Sequence, residues 1–223
     1  MPDRITIQRR KNHRVGVFAD IQNMYHSAKN IYHGRVNFGE LLKVAVSDRE
    51  LVRALAYVVK GGETEEEQAF FDALSKSGFE LKMKDLQVFA GGAKKADWDV
   101  GLAVDVIAMS RQLDVVVIIS GDGDFVPLVQ YLQHLGGIVE VVSFGRSTSL
   151  RLKETVNNFI DLDDHKGIIL RSSRSRRGRT GTAKSAPQAD ATPQKPAPAQ
   201  REGRASSTGS GRGTFMTRAK RSN

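Results

Sequence analysis

The segment Asp114–Asp124, DVVVIISGDGD, constrains the fold more than any other stretch of this chain. Val115–Ile119 run apolar without alternation, the pattern of a strand covered by helices on both faces. The run passes through Ser120 into two carboxylates, Asp122 and Asp124, with Gly121 and Gly123 on either side of the first. Carboxylates at the end of an apolar strand are costly to desolvate unless something positive meets them. A divalent cation is the partner this spacing suggests. Other acids must then converge on the same strand end.

The flanking sequence alternates strand and helix patterns. VGVFAD (Val15–Asp20) is a β-branched apolar run ending on an acid, and helical spacing follows near Asn23–Asn30 and again from Phe38. LVRALAYVV (Leu51–Val59) predicts a second strand. Thr64 with Glu67 three residues on forms a capping-box pattern that opens the helix TEEEQAFFDALSKSG. FELKMK (Phe79–Lys84) alternates as an edge strand does, and Asp97–Ser110 predicts a helix. After the central strand, FVPLVQYLQHLGG predicts a helix with Pro127 tolerated in its first turn. IVEVVSF is another strand, and STSLRLKETVNNFIDL predicts a last helix leading to a short extended end. This rhythm predicts an α/β fold, a three-layer α/β/α sandwich around a mostly parallel sheet.

Charge divides the 223 residues unevenly. Residues 171–223 hold 13 Lys/Arg against two acids, Asp190 and Glu202, whereas the first 170 residues hold 21 basic and 23 acidic groups. The Arg, Gly, Ser and Pro of this basic tail cannot repay the entropy of ordering, which predicts disorder. The expected organisation is an N-terminal extension at 1–13, a folded domain at 14–164 and a tail at 165–223. The absence of cysteine excludes disulfide-linked partners and thiolate metal sites. Five scattered histidines offer no zinc spacing. No apolar run reaches membrane-spanning length and no secretory leader is visible. A cytoplasmic protein without a membrane partner is the expectation.

In an open parallel sheet, ligands gather beyond the carboxyl ends of the strands. Asp20 ends the first strand, Asp122 and Asp124 follow the central one, and Asp97, Asp99 and Asp105 lie on the helix before it. Clustered carboxylates raise one another's pKa, and a hard cation removes that conflict. Mg²⁺ or Mn²⁺ suits such oxygen donors. Asn23, three residues past Asp20, suits orienting a metal-bound water by its amide as part of the catalytic set, and Ser120 adds a supporting hydroxyl at the strand end. Simpler readings compete. Asp20 suits an N-cap as well as it suits a metal ligand, and Asp124 suits the N-cap of the FVPLV helix. Asp99 and Asp105 are six apart and do not share a helix face, so at most one points into the site. Asp97 reads as a helix cap and Trp98 as a packing residue. Lys94 and Lys95 suit contact with substrate phosphates, with simple solvation as the alternative.

VFADIQNMY, KKADWDVGLAVDVIAM and DVVVIISGDGDFVPLVQYLQHLGGIVEVVSF together resemble the signature blocks of the NYN domain, in its LabA-like branch of the PIN-like nuclease superfamily. The resemblance spans roughly residues 14–164. It implies a PIN-like fold, a Mg²⁺ or Mn²⁺ site and metal-dependent cleavage of RNA, expected to be single-stranded. Asp20 and Asn23 match the first block, Asp99 and Asp105 the second, and Asp122 and Asp124 the third. One departure is AGGAKKA at Ala90–Ala96, where many relatives run directly into the acidic helix. The rival reading is a binding module of the same fold that regulates without turnover. Phosphatase chemistry with an aspartyl nucleophile fits less well, because the DxD opening it needs is absent at Asp20, which reads ADIQN.

Arg171, Arg174, Arg176, Arg177 and Arg179 begin a positive segment suited to tracking phosphates and releasing counterions. Deleting residues 171–223 is therefore expected to weaken RNA binding and flatten its salt dependence. Unchanged affinity and salt slope in a filter-binding titration would refute that role.

Overall fold

The structure is a computed structural model and describes residues 8–62, 64–88, 94, 95 and 97–170. β1 (Arg14–Asp20) opens the domain, followed by α1 (Ile21–Tyr32), the short β2 (Arg35–Val36) and α2 (Phe38–Val46). β3 (Glu50–Lys60), α3 (Glu65–Lys76) and β4 (Glu80–Asp85) come next, and then the short β5 (Gln87–Val88) and β6 (Lys94–Lys95). α4 (Asp99–Ser110), β7 (Val115–Ile119), α5 (Val126–His134), β8 (Ile138–Ser143), α6 (Leu150–Thr155), β9 (Asn158–Asp161) and β10 (Ile169–Leu170) complete the order.

Six strands form one sheet in the order β4-β3-β1-β7-β8-β9, and every neighbouring pair is parallel. The chain builds outward from β1 through β3 to β4, then returns to the other flank of β1 to lay down β7, β8 and β9. Strand order therefore reverses between β1 and β7, which are paired from Val15↔Val115 to Ala19↔Ile119. Two separate antiparallel ribbons join β2 to β10 and β5 to β6.

Apolar side chains alternate to opposite faces along these strands and fill two cores. Val15, Val17 and Ala19 of β1 pack with Met24 and Ala28 of α1, Leu41 of α2 and Leu74 of α3. On the other face Phe18, Leu55 and Ile118 pack with Leu102 and Val106 of α4, Val129 of α5 and Leu152 of α6. All five residues of β7 are buried, as its unbroken apolar run requires. Among the described residues no helix is long and apolar enough to cross a membrane.

The last helix departs from expectation. α6 ends at Thr155, and Asn158–Asp161 instead extends the sheet as β9, paired with β8 from Glu140↔Asn158 to Ser143↔Asp161. Phe159 and Ile160 favour extended backbone, and the open edge of β8 offers hydrogen bonds that a further helical turn would forgo. Asn157 fixes the crossover, its Oδ1 accepting from Val139 N at 2.8 Å and from Gln133 Nε2 at 3.1 Å.

Glu140 of β8 is a buried carboxylate held by several donors. Arg9 donates at 3.2 and 2.7 Å, Arg49 at 3.0 Å and Asn158 at 2.9 Å. Burial alone would raise the Glu140 carboxyl. The bonds from Arg9 and Asn158, with the charges of Arg9 and Arg49, outweigh it and hold the group below the usual glutamate range. Arg9 lies within the 1–13 extension, so the described part of that segment, residues 8–13, is tied to the sheet at Glu140.

Candidate metal centre

The site grows from the two strand ends that the order reversal leaves side by side. Asp20 closes β1 with extended backbone and caps α1, its Oδ1 accepting from Asn23 N at 3.1 Å. Its Oδ2 accepts from Ser120 Oγ at 3.1 Å, just beyond β7. Ser120 Oγ in turn accepts from Asp122 N at 3.2 Å, and Asn23 Oδ1 accepts from Gly121 N at 2.9 Å. Asp20, Asn23 and Ser120 thus stitch the ends of β1 and β7 into one rigid turn.

The glycines are there for close approach. A Cβ at Gly121 would sit 3.0 Å from both Ser143 Oγ and the Ser147 carbonyl oxygen, and one at Gly123 would sit 2.8 Å from Ser149 Oγ. The segment after β8 packs directly on this turn, with Ser149 N donating to the Gly121 carbonyl at 2.9 Å. Asp122 caps the following 3₁₀ turn (Gly123–Phe125), accepting from Asp124 N at 3.0 Å. The Asp124 side chain is left projecting to solvent.

Asp99 arrives from α4, whose first turn is pegged by its neighbour. Trp98 Nε1 donates to the Val58 carbonyl at 2.8 Å, and its ring meets Tyr57 edge-on at 5.5 Å between centroids. Lys84 Nζ donates to the Asp97 carbonyl at 3.2 Å. These contacts set Asp99 opposite the turn, where one carboxylate oxygen each from Asp99, Asp122 and Asp124 lies within 4.8 Å of the others. Among the described residues no ion pair reaches any of the three. The Asp99 carboxyl is pushed up to about 6, first by partial burial and then by the charges of Asp20, Asp122, Asp97 and Asp124. Asp20 is raised as well, chiefly by burial, against the hydrogen bonds of Asn23 and Ser120.

The open alternatives of the sequence now separate. Asp20 is a helix cap and a brace for the turn, outside the three-oxygen group but electrostatically coupled to Asp99 and Asp122. Asp124 does not cap the FVPLV helix, whose N-cap position is Phe125, while Asp122 caps the 3₁₀ turn before it, and the N-cap position of α4 is Trp98 rather than Asp97. Asp105 is not brought to the cluster. Its Oδ2 accepts from Tyr57 Oη at 3.0 Å and pairs with Lys82 at 3.3 Å, anchoring α4 to β3 and β4. Lys94 and Lys95 lie in β6, with their side chains outside the described residues, as are most of Ala90–Ala96 and all of Arg171, Arg174, Arg176, Arg177 and Arg179. Tyr57 and the peg formed by Trp98 were not foreseen as parts of the site. The only sequence signal was a polar-tipped aromatic in each adjoining segment.

Three hard oxygen donors, one of them exposed and able to share its ion with water, match Mg²⁺ or Mn²⁺. Because the folded-state pKa of Asp99 is raised, its contribution to stability is full below the ordinary aspartate value and lost as pH rises through about 6. Asp99→Asn should therefore stabilise the metal-free protein at neutral pH, by less than about 1 kcal/mol given solvent screening. Millimolar Mn²⁺ should raise the Tm of the wild type and leave that of this variant unmoved. A thermal-shift series across pH, with and without Mn²⁺, reads both; a variant that keeps the metal-induced rise would refute the assignment.

Comparison with known proteins agrees with this architecture. Residues 14–163 match the family model of the NYN domain. The chain is 25% identical over 171 residues to the low amplitude and bright protein LabA of Synechococcus elongatus, covering 72% of this chain and 90% of that protein. A crystal structure of a protein of unknown function from Vibrio parahaemolyticus aligns with a TM-score of 0.66 at 29% identity, covering 74% of this chain and 100% of the other. With the match running from the first residue of β1 through β9, and all three acidic blocks inside it, this chain belongs to the NYN domain family.

Proposed function

We propose that this protein is a metal-dependent ribonuclease that hydrolyses RNA phosphodiester bonds at the Asp99, Asp122 and Asp124 centre. The observation that carries this reading is the convergence of three carboxylates, reached by no ion pair among the described residues, at the order reversal of a nuclease-type fold. Asp99, Asp122 and Asp124 would hold Mg²⁺ or Mn²⁺. When bound, such an ion supplies positive charge to the scissile phosphate and acidifies an attacking water.

The chain's own residues do the positioning. Ser120 bridges Asp20 to the Asp122 backbone, and Asn23 pins Gly121, so the two acids after β7 keep their spacing when the ion arrives. Preorganisation of this kind spares the site from rearranging as charge develops on the phosphate. Asp124 lies at the exposed rim, open to an extended strand approaching from solvent. Lys94, Lys95 and the arginines of the tail supply attraction for the phosphates on either side of the cut.

The test is cleavage of a labelled single-stranded RNA in Mn²⁺ or Mg²⁺, with chelator and single-stranded DNA controls. Wild-type protein should cut, and Asp122→Asn/Asp124→Asn should cut slower by on the order of a hundred-fold or more, as expected when transition-state charge stabilisation is removed. Cutting that persists in chelator or in the double variant would reject the assignment. RNA bound but never cut would make this a regulatory binding module.

A further inference from the structure

Arg146, in the loop after β8, carries a guanidinium whose donors the described fold leaves unused. Its side chain is 73% exposed, it donates no hydrogen bond among the described residues, and its ion pair, from Nε to Asp163 Oδ2, is long at 3.9 Å. An exposed pair at that distance contributes almost nothing to stability. The group is nevertheless held. Its central carbon lies 5.9 Å from the centroid of the Tyr32 ring, and that ring packs against Phe144 at 4.6 Å between centroids. Tyr32 Oη donates to the other carboxylate oxygen of Asp163. These contacts leave the two terminal nitrogens without a hydrogen bond, and that rigid fork matches the paired oxygens of a phosphate.

The loop that carries Arg146 is built onto the metal centre. One residue further on, the Ser147 carbonyl abuts Gly121, and Ser149 both bonds to the Gly121 carbonyl and abuts Gly123, so the loop touches the turn on either side of Asp122. Other bonds fix the loop as well. Gly145 N donates to Asp161 Oδ1 at 2.8 Å, Asp163 N donates to the same oxygen at 2.9 Å, and Lys153 Nζ donates to the Gly145 carbonyl. Asp161 is thereby committed to backbone donors, and Asp163 is the carboxylate that meets Arg146. We infer that Arg146 binds a phosphodiester of the RNA strand on the β8 side of the metal centre, with Tyr32 and Asp163 as positioning residues that hold its guanidinium ready. The inference rests on the RNA substrate proposed above and deepens it. A metal at the ends of β1 and β7 and an arginine at the end of β8 grip one strand at two points along the sheet edge. A phosphate bonded to both terminal nitrogens gains two charge-assisted hydrogen bonds where Asp163 offers none.

Binding of the full chain to a labelled single-stranded RNA, titrated at several salt concentrations in chelator and in Ca²⁺, tests the contact apart from cleavage. Arg146→Gln should weaken binding several-fold, make the slope of log affinity against log salt shallower by about 0.7, the share of one phosphate contact on a single strand, and leave the Tm unmoved. Arg146→Lys should keep the slope and lose part of the affinity, because an ammonium keeps the charge without the fork. Asp163→Asn, which retains an acceptor for Tyr32, should tighten binding in the wild type and not in the Arg146→Gln background. Tightening in both would overturn the positioning role of Asp163. The losses should be equal on RNA with a 5′-hydroxyl and with a 5′-phosphate; a loss confined to the phosphorylated strand would place a terminal phosphate at Arg146 and overturn the phosphodiester assignment. Unchanged affinity and slope in Arg146→Gln would overturn the inference and leave the ribonuclease reading to its own cleavage test. RNA that the wild type binds in neither condition would overturn both.

Discussion

The reversal of strand order between β1 and β7 is the constraint on which the rest of this molecule depends. Helices leave β1 and β7 toward opposite faces of the sheet, α1 into one core and α5 into the other. At such a reversal an open parallel sheet leaves a crevice beyond the carboxyl ends of the two strands. Asp20 sits at one lip and Ser120 to Asp124 form the other. Ser120 and Asn23 join the lips through hydrogen bonds, so the crevice is rigid where a loop-borne site would not be.

Rigidity carries an electrostatic penalty. Asp20 is partly buried and its carboxyl is raised, Asp99 is pushed up to about 6, and among the described residues no ion pair reaches Asp99, Asp122 or Asp124. Elsewhere the fold treats acids differently. Glu140 is more deeply buried yet held ionised by Arg9, Arg49 and Asn158, and Asp114 is lowered by Arg14. Among the described residues, then, these structural carboxylates are paired while Asp99, Asp122 and Asp124 at one sheet edge have no ion-pair partner. That contrast points to a function more strongly than an acidic cluster alone would, because functional sites are where proteins give up stability.

Much of this was legible in the sequence, for identifiable reasons. The unbroken run Val115–Ile119 has one structural solution, and the glycines around Asp122 mark a turn under close packing. Parallel order followed from alternating strand and helix patterns. What escaped depended on contacts between distant segments. Local spacing places Asn158–Asp161 in the last helix, whereas the fate of β9 is set by the exposed edge of β8, which local spacing does not reveal. Asp99 and Asp105 were separable in principle by helix phase, but which of them faced the site required knowing that Tyr57 and Lys82 lie beneath Asp105. The sequence marks Trp98 as a packing residue, while its indole bond to Val58, which fixes the start of α4, joins positions 40 apart in the chain. Arg9 lay in a stretch with no apolar pattern, and only its partner Glu140 gives it a place in the fold.

The central claim is that the unpaired carboxylates exist to hold a cation. Diffraction from crystals grown with Mn²⁺, collected at the manganese absorption edge, tests it most directly. The account predicts an anomalous peak roughly 2–2.5 Å from carboxylate oxygens of Asp99, Asp122 and Asp124. Manganese bound only elsewhere, with these three carboxylates bare, would contradict it.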